Sequence, residues 1–191
     1  MVLPITKYGH PVLRKKGDRI AAITPEIQQL IADMFETMRE SHGVGLAAQQ
    51  VGHALQLTVI DVSDITDRPS TLELHGQPAD VKEIMPLVLI NPEVTPAGDL
   101  VKGAEGCLSF PEIYADIERP GLVDVKALNE HFQPLAFRCG GLLARAVQHE
   151  TDHLNGLLFI DRMDKQTKAE LKPELEELQA ATKALLKQAK K

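Results

Sequence analysis

LVDVKALNEHFQPLAFRCGGLLARAVQHETDHLNG, residues 122–156, carries the reading that decides the fold. From Leu122 to Leu128, Val123, Val125 and Ala127 alternate with Asp124 and Lys126, the period-two pattern of a half-buried strand. Asn129 to His131 reads as the turn into a partner strand ending near Cys139. Gly140 and Gly141 then break the chain. From about Leu142 to Leu154 the pattern becomes that of an amphipathic helix, ended by Gly156.

The flanking sequence repeats this mixture without a βαβ rhythm. Thr24-Pro25 reads as an N-cap with proline in the first turn, and Ile27, Leu30, Ile31, Met34 and Met38 follow at helical spacing until Gly43 stops the helix. Leu55–Val62 and Pro86–Val94 are rich in β-branched residues and read as strands. Residues 64–84 between them mix charges, two prolines and a glycine without period, which predicts a long surface loop. A third helix covers the Lys- and Glu-rich tail from about Lys165. The expectation is an α+β fold, with residues 1–164 forming one domain and the basic helix 165–191 belonging to it.

Composition narrows the classes of function. A chain of 191 residues, 43% hydrophobic and 25% charged, is of ordinary globular usage and long enough for a core without disulfides. Its net charge of −6 argues against a surface that coats nucleic acid throughout. No apolar run reaches the roughly 18 residues of a membrane span, and the start, MVLPITKYGHPVLRKK, has no apolar secretory core. Two cysteines, Cys107 and Cys139, fit a reducing compartment, so the expected location is the cytoplasm. After Glu177 the tail carries four lysines, Lys183, Lys187, Lys190 and Lys191, and no acid. They suit a solvated helix end, or docking on an anionic partner such as RNA.

The chemistry concentrates in HETDH, residues 149–153. His149 and His153 lie four apart on a helix and so share one face, where both imidazoles can bind one metal ion; Glu150 stands beside the first of them, in reach of a water there. With this composition about 0.02 such HExxH strings arise by chance, so two unrelated surface histidines are the weaker reading. A catalytic metal needs a third protein ligand. Cys107, in EGCLS (residues 105–109) after the permissive Gly106, and Cys139, close before the helix, both qualify on spacing. The small residues of GVGLAAQQVG, residues 43–52, allow a backbone to approach a ligand closely or simply cap the preceding helix, and Gln50 offers an amide donor for an oxyanion.

GVGLAAQQ (43–50), EGCLS (105–109) and QHETDHLNG (148–156), in this order, resemble the three motifs of the peptide deformylases, with similarity running from about Ile5 through Met163. The resemblance implies a metal site of Cys107, His149 and His153, with Glu150 as general base and acid, that hydrolyses the N-formyl group from formylmethionyl nascent peptides. It implies Gln50 and the N–H of Leu108 as oxyanion donors, and backbone near Val44 and Gly45 that holds the peptide as an added strand. The family fold it implies is a mostly antiparallel set of sheets around the metal-binding helix, with a C-terminal helix. The family usually uses ferrous iron, with nickel or cobalt as substitutes and zinc bound but less active. Tails of this kind can dock on the ribosome, and a monomer is expected.

Tyr114 and Arg145 depart from the family pattern near the peptide entrance and in the pocket wall, which makes them candidate substrate-binding residues. Asp152 is a candidate to orient a ligand histidine, and Glu105 with Arg119 a candidate buried pair behind the metal loop. The other functional classes compatible with these residues are a metallopeptidase acting on unformylated substrates and a non-catalytic relative with a structural metal.

Overall fold

The computed structural model describes residues 1–189. Seven strands form one sheet, β1 (Gly45–Ala47), β2 (Leu57–Ile60), β3 (Ser70–Leu74), β4 (Gln77–Ala79), β5 (Leu87–Cys107), β6 (Phe110–Leu128) and β7 (Pro134–Gly140). Their spatial order is β1-β2-β5-β6-β7-β3-β4, and every neighbouring pair is antiparallel. The α+β expectation therefore holds, and the sheet is antiparallel because hairpins rather than helical crossovers connect most neighbours.

Helix α1 (Pro25–Glu40) begins at Thr24, whose hydroxyl accepts the Ile27 amide at 3.3 Å, a cap worth about 1 kcal/mol. Leu30, Ile31, Met34 and Met38 form its buried stripe and pack over β1, β2 and the start of β5. Helix α2 (Gly141–Leu154) lies against the sheet with Leu143, Ala144 and Val147 in a core shared with β2, β5, β6 and β7. A third core joins the 3₁₀ turn Pro11–Arg14, the start of β6, residues 158–163 and Leu175.

Four segments differ from the sequence reading in extent or kind. The strands expected at 86–94 and 122–128 are the outer ends of the long β5–β6 hairpin, interrupted by register shifts at Ile90/Glu93, Ala97/Leu100 and Gly106/Cys107. Residues 92–104 of β5 are mostly exposed, so no alternating apolar face marks them as strand.

The supposed loop at 64–84 contains the β3–β4 hairpin and a 3₁₀ turn at Val81–Glu83; it docks on β7 through pairs such as Leu72 with Cys139. Its hairpin turns through His75 and Gly76, both at positive φ. It also closes the amino end of α2: the Leu142 amide donates to the Pro69 carbonyl at 3.2 Å and the Leu143 amide to the Ser70 hydroxyl at 2.9 Å. A Cβ at Gly141 (φ +64°) would lie 2.1 Å from the Pro69 oxygen, so only glycine fits that junction.

The tail is two helices, α3 (Lys165–Glu170) and α4 (Lys172–Gln188), because Pro173 supplies no amide to continue the first. Lys183 and Lys187 lie on exposed parts of α4, and Lys190 and Lys191 lie outside the described residues.

Candidate metal centre

The helix α2 brings His149 and His153 to one face, and the tip of the β5–β6 hairpin lays Cys107 over them. One ligand atom from each of the three residues lies within 4.8 Å of the other two, and Cys107 Sγ stands 3.4 Å from His153 Nε2. Ligand atoms of an ion bound at about 2.0–2.3 Å are separated by a little over 3 Å, close to the Cys107–His153 spacing, so these thiol and imidazole donors converge as a set suited to a single divalent cation. Cys139 is excluded from this cluster. It is 1% exposed among the core residues of β7, and burial pushes its thiol up to about 12.

Behind these three residues lies a buried ionic network. His149 Nδ1 donates to Glu105 Oε2 at 2.9 Å, which directs its other nitrogen toward the cluster. Glu105 also receives Arg119 Nε at 2.5 Å and Nη2 at 3.0 Å, and Arg145 Nη1 at 2.9 Å. Arg119 extends the network to Asp152 through Nη1 at 2.8 Å, and Arg162 grips Asp152 from the outside. Burial opposes the charge on Glu105, but the bonds from His149 and Arg119 outweigh it and hold the carboxyl well below the usual carboxylate range. Asp152 thus reaches His149 through Arg119 and Glu105 rather than by a bond of its own.

Glu150 is different: it is 5% exposed, its Oε2 has no hydrogen-bond partner among the described residues, and burial raises its pKa to about 7. A carboxyl group that is buried, unpaired and poised near neutrality suits proton transfer better than structure. His153 is held neutral mainly by burial, with the neighbouring His149 adding to the effect, which suits a ligand imidazole. At His149 burial disfavours the charge, but the bonds to Cys107 and Glu105 outweigh it and hold the imidazole well above its ordinary range; a cation held there would take the place of that proton.

The cluster opens into a cleft of ≈ 480 Å³. Val44, Gly45, Gln50, Cys107, Leu108, Leu142, Arg145 and Ala146 line it together with His149 and Glu150, and the exposed Tyr114 stands at its rim. Gly45 is narrow for a reason internal to the protein: a Cβ there would sit 2.5 Å from Glu150 Oε1. Gly106 similarly gives way to the Tyr114 ring, 2.7 Å from where its Cβ would be, and Tyr114 itself is 69% exposed. Gln50 turns its Oε1 to the Ala47 amide at 2.9 Å, leaving Nε2 toward Cys107 Sγ at 3.5 Å and Ser109 Oγ at 3.3 Å. Arg145 lines the cleft, yet its guanidinium is committed to Glu105 and to the carbonyls of Ile117 and Val101, both at 2.8 Å. It acts as wall rather than as a free charge.

Lys7, His42, Arg68 and Glu112 also line the cleft, and none was marked by the sequence reading. Arg68 arrives from the segment read as a surface loop and donates to the Ala104 carbonyl at 3.0 Å. No local signal distinguishes these side chains from other exposed charges; only the folding of distant segments onto β5 places them.

Residues 2–169 match the family model described as polypeptide deformylase. The chain is 45% identical over 98% of both chains to a peptide deformylase of Opitutus terrae, and 46% identical over 93% of both to one of Methylacidiphilum infernorum. Among solved structures, a peptide deformylase from Synechococcus elongatus in complex with actinonin superposes with a TM-score of 0.74 at 40% identity, covering 94% of this chain and 85% of the other. One from Plasmodium falciparum superposes with a TM-score of 0.79 at 31% identity, covering 94% and 97%.

Proposed function

This chain belongs to the polypeptide deformylase family, and from that premise we propose that its cleft hydrolyses the N-formyl group of formylmethionyl peptides and releases formate. The observation that carries this reading is the convergence of Cys107, His149 and His153 at the head of a cleft, with the unpartnered carboxyl of Glu150 beside them.

A formamide is an unstrained amide and water attacks it slowly, so the site must make water nucleophilic and stabilise the charge that develops on oxygen. Cys107, His149 and His153 would hold a divalent cation, which would supply Lewis acidity and bring the pKa of a water down toward neutrality. Glu150 takes the proton of the attacking water and returns it to the leaving amine. Gln50 Nε2 and the Leu108 N–H are the donors for the oxygen as the carbonyl becomes tetrahedral. Glu105 keeps His149 in one tautomer, and Arg119 and Arg145 keep Glu105 in place.

β1 ends the strand order of the sheet, so the backbone at Val44 and Gly45 has an edge to which an extended peptide can add. Tyr114 at the rim meets residues beyond the methionine, and Arg145 shapes the wall of the pocket. The reading extends to ferrous iron as the native ion, and to a monomer working in the cytoplasm. It also extends to docking of the Lys183–Lys187 end of α4 on ribosomal RNA, since exposed cations suit phosphate.

The direct test is formate release from a formylmethionyl peptide by the full chain, loaded anaerobically with ferrous ion. Release that stops on chelation and returns on re-addition of metal is the expected result. Cleavage of internal bonds in an unformylated peptide, or no release from the loaded chain, would refute the reading. Because a methyl group at position 45 collides with the Glu150 carboxyl, Gly45→Ala should lower kcat by roughly a hundredfold through misplacement of the base. Stoichiometric metal and an unchanged melting temperature should accompany that loss; full activity would show that the carboxyl has room to move.

A further inference from the structure

Three consecutive residues, Thr6, Lys7 and Tyr8, join the two segments that hold the proposed oxyanion donors. The Thr6 amide donates to the Gln50 carbonyl at 2.8 Å, and its hydroxyl stands 3.1 Å from the carbonyls of both Gln49 and Gln50. The Tyr8 amide donates to the Ser109 carbonyl at 3.0 Å, and the Tyr8 ring stacks on Phe110 with centroids 4.8 Å apart. Between these two anchors the Lys7 ammonium donates to the Leu108 carbonyl at 2.7 Å, from a side chain that lines the cleft. The arm therefore ties residues 49–50 to residues 108–110 from one side, while Gln50 Nε2 ties them from the other.

We infer that Lys7 is a positioning residue for the hydrolysis: by holding the Leu108 carbonyl it fixes the peptide units around Leu108 and the aim of the Leu108 N–H. This rests on the oxyanion role proposed above for Leu108. Donors for a developing charge are effective only when they are oriented before the charge appears, and a peptide unit at a hairpin tip, free to rotate, loses that orientation. The bond to Leu108 is charge-assisted, which makes it stronger than a neutral one. An ammonium has three donors. Using one on Leu108 keeps a positive charge at the cleft wall, on the side where the oxyanion donors stand. Arg14, the next lysine or arginine after Lys7, is turned away onto Asp161 and cannot substitute for it.

The role is tested in the full, metal-loaded chain with Lys7→Met, which keeps the aliphatic stem and removes the donor, and Lys7→Arg, which keeps a charged donor. The expected result for Lys7→Met is a fall in kcat of roughly tenfold with KM little changed, since an interaction that acts on the transition state is lost. Metal content should be unchanged, amide exchange should be faster in the 107–110 segment, and Lys7→Arg should recover most of the rate. An unchanged kcat in Lys7→Met would overturn the inference, as would a loss that Lys7→Arg shares in full or a loss that follows metal release. If wild type released no formate, the deformylase reading would fall instead. The amide exchange of Lys7→Met would still decide whether Lys7 holds the Leu108 segment: faster exchange supports the hold, and unchanged exchange refutes it.

Discussion

Glu150→Gln should abolish nearly all formate release, with kcat lower by about a thousandfold, within the range general acid–base residues contribute. The substitution keeps the shape of the side chain, so the packing against Gly45 survives and the proposed ligands Cys107, His149 and His153 stay in place. What is lost is the capacity to accept a proton. The same substitution should leave the melting temperature unchanged or raise it. Glu150 is buried with one oxygen unpartnered, and burial makes its charged form costly. A residue whose neutral isostere is at least as stable, yet inactive, is one retained for chemistry at a cost to stability. Metal analysis, calorimetry and formate release on the same preparation check both halves. A variant with more than a tenth of wild-type kcat would remove Glu150 from the proton-transfer role.

The largest effect on stability should come from Arg119→Met. Arg119 is 3% exposed and is the link between Glu105 and Asp152. Removing one member of a buried ion network leaves the others uncompensated, a loss of about 3–5 kcal/mol. The lower end is expected here, because Glu105 retains Arg145 and Asp152 retains Arg162. For a domain of this size each kcal/mol lowers the melting temperature by about 2–4 °C, so a fall of about 10 °C is expected. His149 is oriented by Glu105, so metal affinity should fall as well, by roughly ten- to a hundredfold. Arg119→Lys keeps a charge but loses the fork that engages both carboxylates and should lie between the two. A thermal melt and a chelator competition measure the two effects. An Arg119→Met protein that melts within about 2 °C of wild type would show that Arg145 and Arg162 alone neutralise the network.

How much of this was legible before folding depends on the range of the interaction. The spacing of His149 and His153 is a local property of a helix, and the apolar pattern of residues 142–154 already marks that helix. The choice between Cys107 and Cys139 was not legible from spacing. It follows from the β5–β6 hairpin, whose tip returns Cys107 to α2 while β7 carries Cys139 into the core. Residues 64–84 read as loop because a hairpin of a few residues has too little periodicity to register, yet they cap α2 and deliver Arg68 to the cleft. Gly45 and Gly106 also make room for side chains of the protein itself, the Glu150 carboxyl and the Tyr114 ring, which no local pattern announces.

The amino-acid sequence by itself determined the α+β class, the helix that carries the two candidate histidine ligands, the proton-transfer candidate beside them and the three motifs that resemble a known hydrolase family, because each is written in neighbouring residues or short periods. Only the tertiary structure decided how Glu105, Arg119, Asp152 and Arg145 join into one network. Only there does the arm at Thr6–Tyr8 reach across to Leu108, and only there does Arg145 turn its charge into the wall. Those arrangements depend on contacts between segments 14 to 101 residues apart, and the register of a long bulged hairpin, rather than any local preference, sets which side chains meet.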